Sequence, residues 1–184
     1  MFDLQDFVAS CQQLVGAPDA ARRALELMRA VVVVAEDIKK FVAPLATEQG
    51  VFDAPLFRSP ELFILNATLP PHFKTPPHDH RMWAVVGIYE GQENNTFYRR
   101  SGKGLEEINR REVRAGEAVL LGPEVIHAIE NPLASNTLGL HVYGGDLAAA
   151  QRSMWSPHSG EELPYDVPQL FRWCKELTKS RSAV

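Results

Sequence analysis

The chain has 184 residues, 45% of them hydrophobic and 23% charged, which suits a single globular unit with one sizeable core. A formal net charge of −4 supplies none of the basic surface that nucleic acid demands, and the basic pairs at Arg99, Arg100 and Arg110, Arg111 sit inside strand-like or turn-like sequence. The two cysteines, Cys11 and Cys174, are far apart, which argues against a disulfide framework or a CxxC metal site and fits a reducing cytoplasm.

Acids at Asp3 and Asp6 argue against a charged-then-apolar leader. Phe2, Phe7, Val8, Cys11, Leu14 and Val15 recur at helical spacing and predict a first helix that Gly16 ends. Pro18 and Asp19 open a second helix running through Leu25, Met28, Val32, Ile38 and Phe41, although the valines from 31 to 34 lower its propensity. The apolar block at 30–35 is far too short to span a bilayer. From Leu56 onward the pattern changes to short β-rich runs at 62–69, 83–89, 95–100, 118–121, 126–130 and 138–143, punctuated by turn residues such as Gly91, Gly116 and Asn131-Pro132. Many short strands so punctuated predict a mainly β barrel or jelly roll, and Asp166 to Leu177 reads as a closing helix. The expected division is one domain, with a helical extension over 1–46, a β-barrel core over 56–147 and a C-terminal extension over 148–184.

The chemistry starts at His78 and His80. Alternate residues of a strand share a face, so these two imidazoles aim at one point while Asp79 points away. The best candidate for a third ligand is His127, at the end of the apolar run that begins at Glu117. Neutral imidazoles suit iron, zinc, copper or nickel. His72 and His158 have no partner in register and read as surface residues. In the strand at 137–143, alternation puts Leu138, Leu140 and Val142 on one face and Gly139, His141 and Tyr143 on the other. On a functional reading, His141 orients a Tyr143 hydroxyl over the metal; on the competing reading, the two simply satisfy each other in the core.

The order His78-Asp79-His80, Ala84, six residues to Gly91, then Gly116, ten residues, His127, three residues and Asn131 resembles the two motifs of the cupin superfamily. That resemblance implies a double-stranded β-helix barrel enclosing one metal. Ala84 stands where most cupins place a glutamate ligand, and Gly122-Pro123-Glu124 replaces the usual Pro-x-Gly. Three histidines followed by His141-Val142-Tyr143 resemble the thiol dioxygenases, the cysteine and 3-mercaptopropionate dioxygenase family, over about residues 58 to 146, and the block at 78–87 is closer to the bacterial members. Gly139 replaces the serine that usually completes a Ser-His-Tyr relay, and Ala84 cannot form the cysteine–tyrosine cross-link of the animal enzymes.

The resemblance implies a cytoplasmic non-haem Fe(II) dioxygenase that oxidises a small thiol to its sulfinate with O2, with zinc, nickel or copper as alternative occupants. Its metal ligands would be His78, His80 and His127, and its catalytic pair Tyr143 and His141. It would act on a small molecule as monomer or homodimer, without nucleic acid or membrane. The other readings are a three-histidine cupin dioxygenase cleaving a carbon substrate such as a diketone, and a non-catalytic metal-binding or small-ligand-binding cupin. A carboxylate on the substrate calls for an arginine. Arg58 occupies roughly the family's position, with Arg99, Arg100 and Arg81 as competitors, while Trp83 and Met82 are candidates for the pocket wall.

Overall fold

A computed structural model describes residues 2–42, 55–102 and 104–179, so the expected end of the helical extension at residue 46 lies outside the described residues. Asp3 caps α1 (Leu4–Gln12) by accepting from the amides of Gln5 and Asp6 at 2.8 and 3.0 Å. The single second helix expected from the sequence is two, α2 (Ala20–Val31) and α3 (Ala35–Val42). The valine run breaks it: β-branched side chains crowd the preceding turn, and at Val34 the carbonyl starts afresh by accepting from Asp37 and Ile38. The break lets Ile38 and Val42 turn onto the same core as Met28 and Val32.

The strands are β1 (Pro55–Arg58), β2 (Phe63–Leu69), β3 (His78–Asp79), β4 (Ala84–Glu90), β5 (Gln92–Ser101), β6 (Gly104–Arg114), β7 (Glu117–Leu121), β8 (Ile126–Glu130), β9 (Thr137–Tyr143), β10 (Ser153–Trp155) and β11 (Glu162–Pro164), followed by α4 (Val167–Lys179). They form a five-stranded sheet in the order β1-β2-β9-β4-β7 and a six-stranded sheet in the order β11-β10-β3-β8-β5-β6. The named strands pair antiparallel, and partners such as β2 and β9 or β5 and β8 are remote in sequence. Successive segments therefore alternate between two facing sheets, which makes the molecule a mainly β double-stranded β-helix with helices at both ends.

Alternation sorts the first sheet. Val85, Tyr89, Leu140 and Val142 pack outward on the helices, while Ala84, Val86, Ile88 and Tyr143 face the barrel interior. Gly87 lets α2 sit directly on β4, since a Cβ there would lie 2.4 Å from Met28 Cγ and 2.6 Å from Val32 Cγ1. The second sheet is closed by α4, whose Leu170, Trp173 and Cys174 pack with Leu69, Phe73 and Met154. Strands β10 and β11, within the segment read as an extension, complete that sheet. The long β6 escaped sequence analysis because it is an edge strand with only Val113 buried, so its charged residues carry no alternation. Both cysteines are free and buried. Among the described residues no helix is long and apolar enough to cross a membrane.

Candidate metal centre

Antiparallel pairing of β3 with β8 sets His78 opposite His127. His78, His80 and His127 are all buried and each offers a ligand atom within 4.8 Å of the others. The Nε2 atoms of His80 and His127 are 3.4 Å apart. Asp79 turns outward between the two histidines, where it meets Arg81 Nε at 2.8 Å and accepts from the amide of Ser153 at 2.8 Å. Its charge is therefore spent outside the barrel. Arg81, directly after His80, holds a φ of 58°, the left-handed region that favours glycine.

The Nδ1 atoms of the two facing histidines have acceptors of their own. His78 Nδ1 donates to the carbonyl of Pro76 at 3.1 Å, and His127 Nδ1 donates to Asn95 Oδ1 at 2.8 Å. Each bond fixes the tautomer that leaves Nε2 with a free lone pair. Burial drives His78 down to about 4 and holds His80 and His127 well below the usual imidazole range, with repulsion from neighbouring histidines adding to the effect at His80 and His127. A proton is thus a poor occupant of the space between them. Neutral nitrogen lone pairs converging in a buried site are the donor set of a borderline divalent cation. No carboxylate joins the cluster among the described residues, and Ala84, fully buried opposite Tyr143, adds none.

Gly139, His141 and Tyr143 lie on the interior face of β9. His141 Nδ1 and the Tyr143 hydroxyl are 3.0 Å apart. Burial keeps the phenol protonated, pushing it above its ordinary range, and pushes His141 down to about 4, so the pair is neutral. The Tyr143 ring meets the His80 ring edge to face at 5.1 Å between centroids. His141 Nε2 is buried without a hydrogen-bond partner, and a Cβ at Gly139 would lie 3.5 Å from it, so the glycine leaves that nitrogen without a side chain from this position.

A cavity of about 900 Å³ opens onto His78, His80 and Tyr143 and is walled by Phe63, Arg152 and Tyr165 among others. Of the cations on this wall, which also include Lys175 and Lys179, Arg152 is one that sequence reasoning missed. Its guanidinium lies over the Tyr165 ring at 3.6 Å from the centroid, and its charge disfavours protonation of His78 and His80. Among the described residues no carboxylate pairs with it, and its Nε is buried without a hydrogen-bond partner. The only sequence signal was parity with the buried Met154 on β10.

The arginines chosen from the sequence are elsewhere. Arg58 is 52% exposed and gripped by Asp146 at 2.9 Å, Arg99 bonds Glu106 at 2.9 Å, and Arg100 bonds Glu162 at 2.8 Å while stacking on Trp155. With Arg81 held by Asp79, each is already neutralised, and none of the four lines the cavity. Trp83 packs on the helix side of the first sheet and against Gly144, whereas Met82 packs on the interior cluster. His72 is exposed and turned by a φ of 58°, and His158 is exposed and bonded to Glu176 at 3.0 Å.

No protein-family model matches the chain. Solved structures similar to it include a cupin-family protein with a double-stranded β-helix fold from Methanocaldococcus jannaschii, at 16% identity over 50% of this chain and 76% of that one, with a TM-score of 0.42. Another is an uncharacterised protein with a double-stranded β-helix domain from Klebsiella pneumoniae, at 11% identity over 61% of this chain and 92% of that one, with a TM-score of 0.44. A third, from Thermus thermophilus, is 22% identical over 56% of this chain and 93% of that one, also with a TM-score of 0.44. These neighbours include cupin proteins, and the fold itself follows from the chain's own strand order.

Proposed function

We propose that the protein is a non-haem iron dioxygenase that converts a small thiol bearing a carboxylate to its sulfinate. The overall change is RSH + O2 → RSO2H, with both oxygen atoms ending on sulfur. The observation that carries this reading is the presence of Arg152, a cation with no carboxylate partner among the described residues, in the same cavity as His78, His80 and Tyr143. His78, His80 and His127 would hold the iron, which when bound supplies Lewis acidity and the redox capacity to activate dioxygen.

The protein's own contribution is position and polarity. Arg152 suits a bidentate grip on a carboxylate, which would fix the thiol a short chain's length away at the histidine end of the cavity. Tyr143 stays protonated and can donate a hydrogen bond to the reacting group if His141 Nδ1–H donates to the phenol oxygen. Phe63 and Leu65 contribute apolar wall that keeps water from the reacting atoms. The partners implied are a thiol and O2, in a reducing cytoplasm, with no role for nucleic acid or membrane.

The test is oxygen uptake by protein loaded anaerobically with Fe(II), offered 3-mercaptopropionate, cysteine, cysteamine and acetylacetone. Uptake with the thiol acids, weak with cysteamine and absent with acetylacetone, is expected. Uptake with acetylacetone alone would favour the diketone reading, and none with any of the four would favour a binding protein.

A further inference from the structure

Among the described residues the barrel interior holds a further ionisable group, to which the proposed reaction gives no role. Glu93 on β5 is fully buried, across from Val113 of β6. Alternation along β5 turns Glu93 and Asn95 to the same interior face. Asn95 Nδ2 donates to Glu93 Oε1 at 2.9 Å while Asn95 Oδ1 accepts from His127 Nδ1 at 2.8 Å, so an unbroken chain runs from a buried carboxyl to a ligating imidazole. The second oxygen, Glu93 Oε2, is buried without a hydrogen-bond partner, and no lysine or arginine pairs with the group among the described residues. A carboxyl so placed destabilises the fold compared with a hydrocarbon of the same size.

Charge balance supplies a reason for it. Neutral imidazoles around a divalent cation leave two uncompensated positive charges in an apolar barrel. Ala84 offers no carboxylate, and Asp79 faces outward to Arg81 and Arg100. Among the described residues Glu93 is the acid buried inside the barrel. We propose that Glu93 is a positioning residue that acts through Asn95 to hold His127 as a metal ligand, an acid while the barrel is metal-free and the compensating carboxylate once a divalent cation binds. The inference rests on the reading of the histidine cluster as a metal site.

The surroundings agree. Groups beside Glu93 include Asn95 on its own strand, Val113 on β6 and, through Asn95, His127 on β8; Tyr143 on β9 also feels its charge. None of these is a cation, and burial pushes the Glu93 carboxyl up to about 7, against the opposing hydrogen bond from Asn95. Near neutral pH a cation arriving at His127 would therefore displace the Glu93 proton, and metal affinity would rise with pH up to about that value.

The probe is zinc, titrated into the full chain against a chromophoric chelator and by calorimetry at pH 6.5 in buffers of different ionisation enthalpy. Glu93→Gln keeps an acceptor for Asn95 and removes only the charge. It is expected to bind zinc 10- to 100-fold more weakly than the wild type and to release fewer protons on binding. Glu93→Gln with Asn95→Asp, which brings a carboxylate directly to His127 Nδ1, is expected to recover affinity. Infrared difference spectra of the wild type need no variant: the carboxylic acid band should give way to a carboxylate band when zinc is added. Glu93→Gln binding zinc as tightly as the wild type with the same proton release, or an unchanged carboxylic acid band, overturns the proposal. Zinc binding that is equally tight in His127→Ala would instead reject the histidine site, so the two failures are distinguishable.

Discussion

His80 and His127 bring their Nε2 atoms to 3.4 Å where burial makes protonation costly, an arrangement that a shared cation suits. Alanine at His78, His80 or His127 is therefore expected to abolish most metal binding, while His72→Ala and His158→Ala leave it intact; metal analysis of the five variants checks this. Arg152→Ala is expected to weaken binding of 3-mercaptopropionate by about 2–5 kcal/mol, the usual loss when one partner of a desolvated charge pair is removed, with little change for cysteamine. Arg58→Ala, which loses only a contact to Asp146, serves as the comparison, and equal losses in both arginine variants would remove Arg152 as the clamp. Tyr143→Phe should lower turnover with iron content unchanged, which single-turnover assays and metal analysis together decide. The histidines and the His141–Tyr143 pair were legible because strand periodicity puts each set on one face. Arg152, Asn95 and Glu93 were not, because a lone polar residue among polar neighbours gives no sign of whether it faces water or a cavity.

Among the elements, α2 and β4 show how closely local rules and tertiary packing agree. The alternation of β4 and β9 could be read directly, whereas the contact that seats α2 on Gly87 depends on two segments remote in sequence. Gly87→Ala is expected to cost about 1–3 kcal/mol by overpacking Met28 and Val32, and Gly122→Ala, where a Cβ meets nothing within 4 Å, far less; urea denaturation of both measures the difference. The valine run that splits the expected long helix had been visible as weakened propensity. What could not be read was that the core would exploit the weakness to fold α3 back. Strand β6 marks the limit of pattern reading, because an edge strand that buries only Val113 has no apolar period to find.

Over the whole molecule, the C-terminal segment read as an extension proves integral to the candidate site, since it supplies Arg152, Tyr165 and the β10–β11 edge of the second sheet. Buried interior groups, of which His141 and Glu93 are examples, also give the metal-free protein opposed pH dependences. His141 is depressed to about 4, so the unfolded chain binds more protons below the ordinary imidazole value of 6.5 and stability falls as pH drops from there toward 4. Glu93 is raised from 4.5 to about 7, so the folded state holds the extra proton and stability falls as pH rises across that window. In Glu93→Gln the second effect vanishes, and between pH 5 and 7 the variant should gain stability relative to the wild type by about 1.4 kcal/mol per pH unit, which denaturation at several pH values would reveal. A constant difference between the two proteins would place the Glu93 carboxyl in its ordinary range.

The most direct measurement is dioxygen consumption by the anaerobically iron-loaded chain with 3-mercaptopropionate, with the sulfinate quantified alongside. The account predicts one O2 consumed per sulfinate formed, and loss of that activity in His127→Ala together with the iron. Iron bound by the wild type with no oxygen consumed in the presence of any thiol would contradict it.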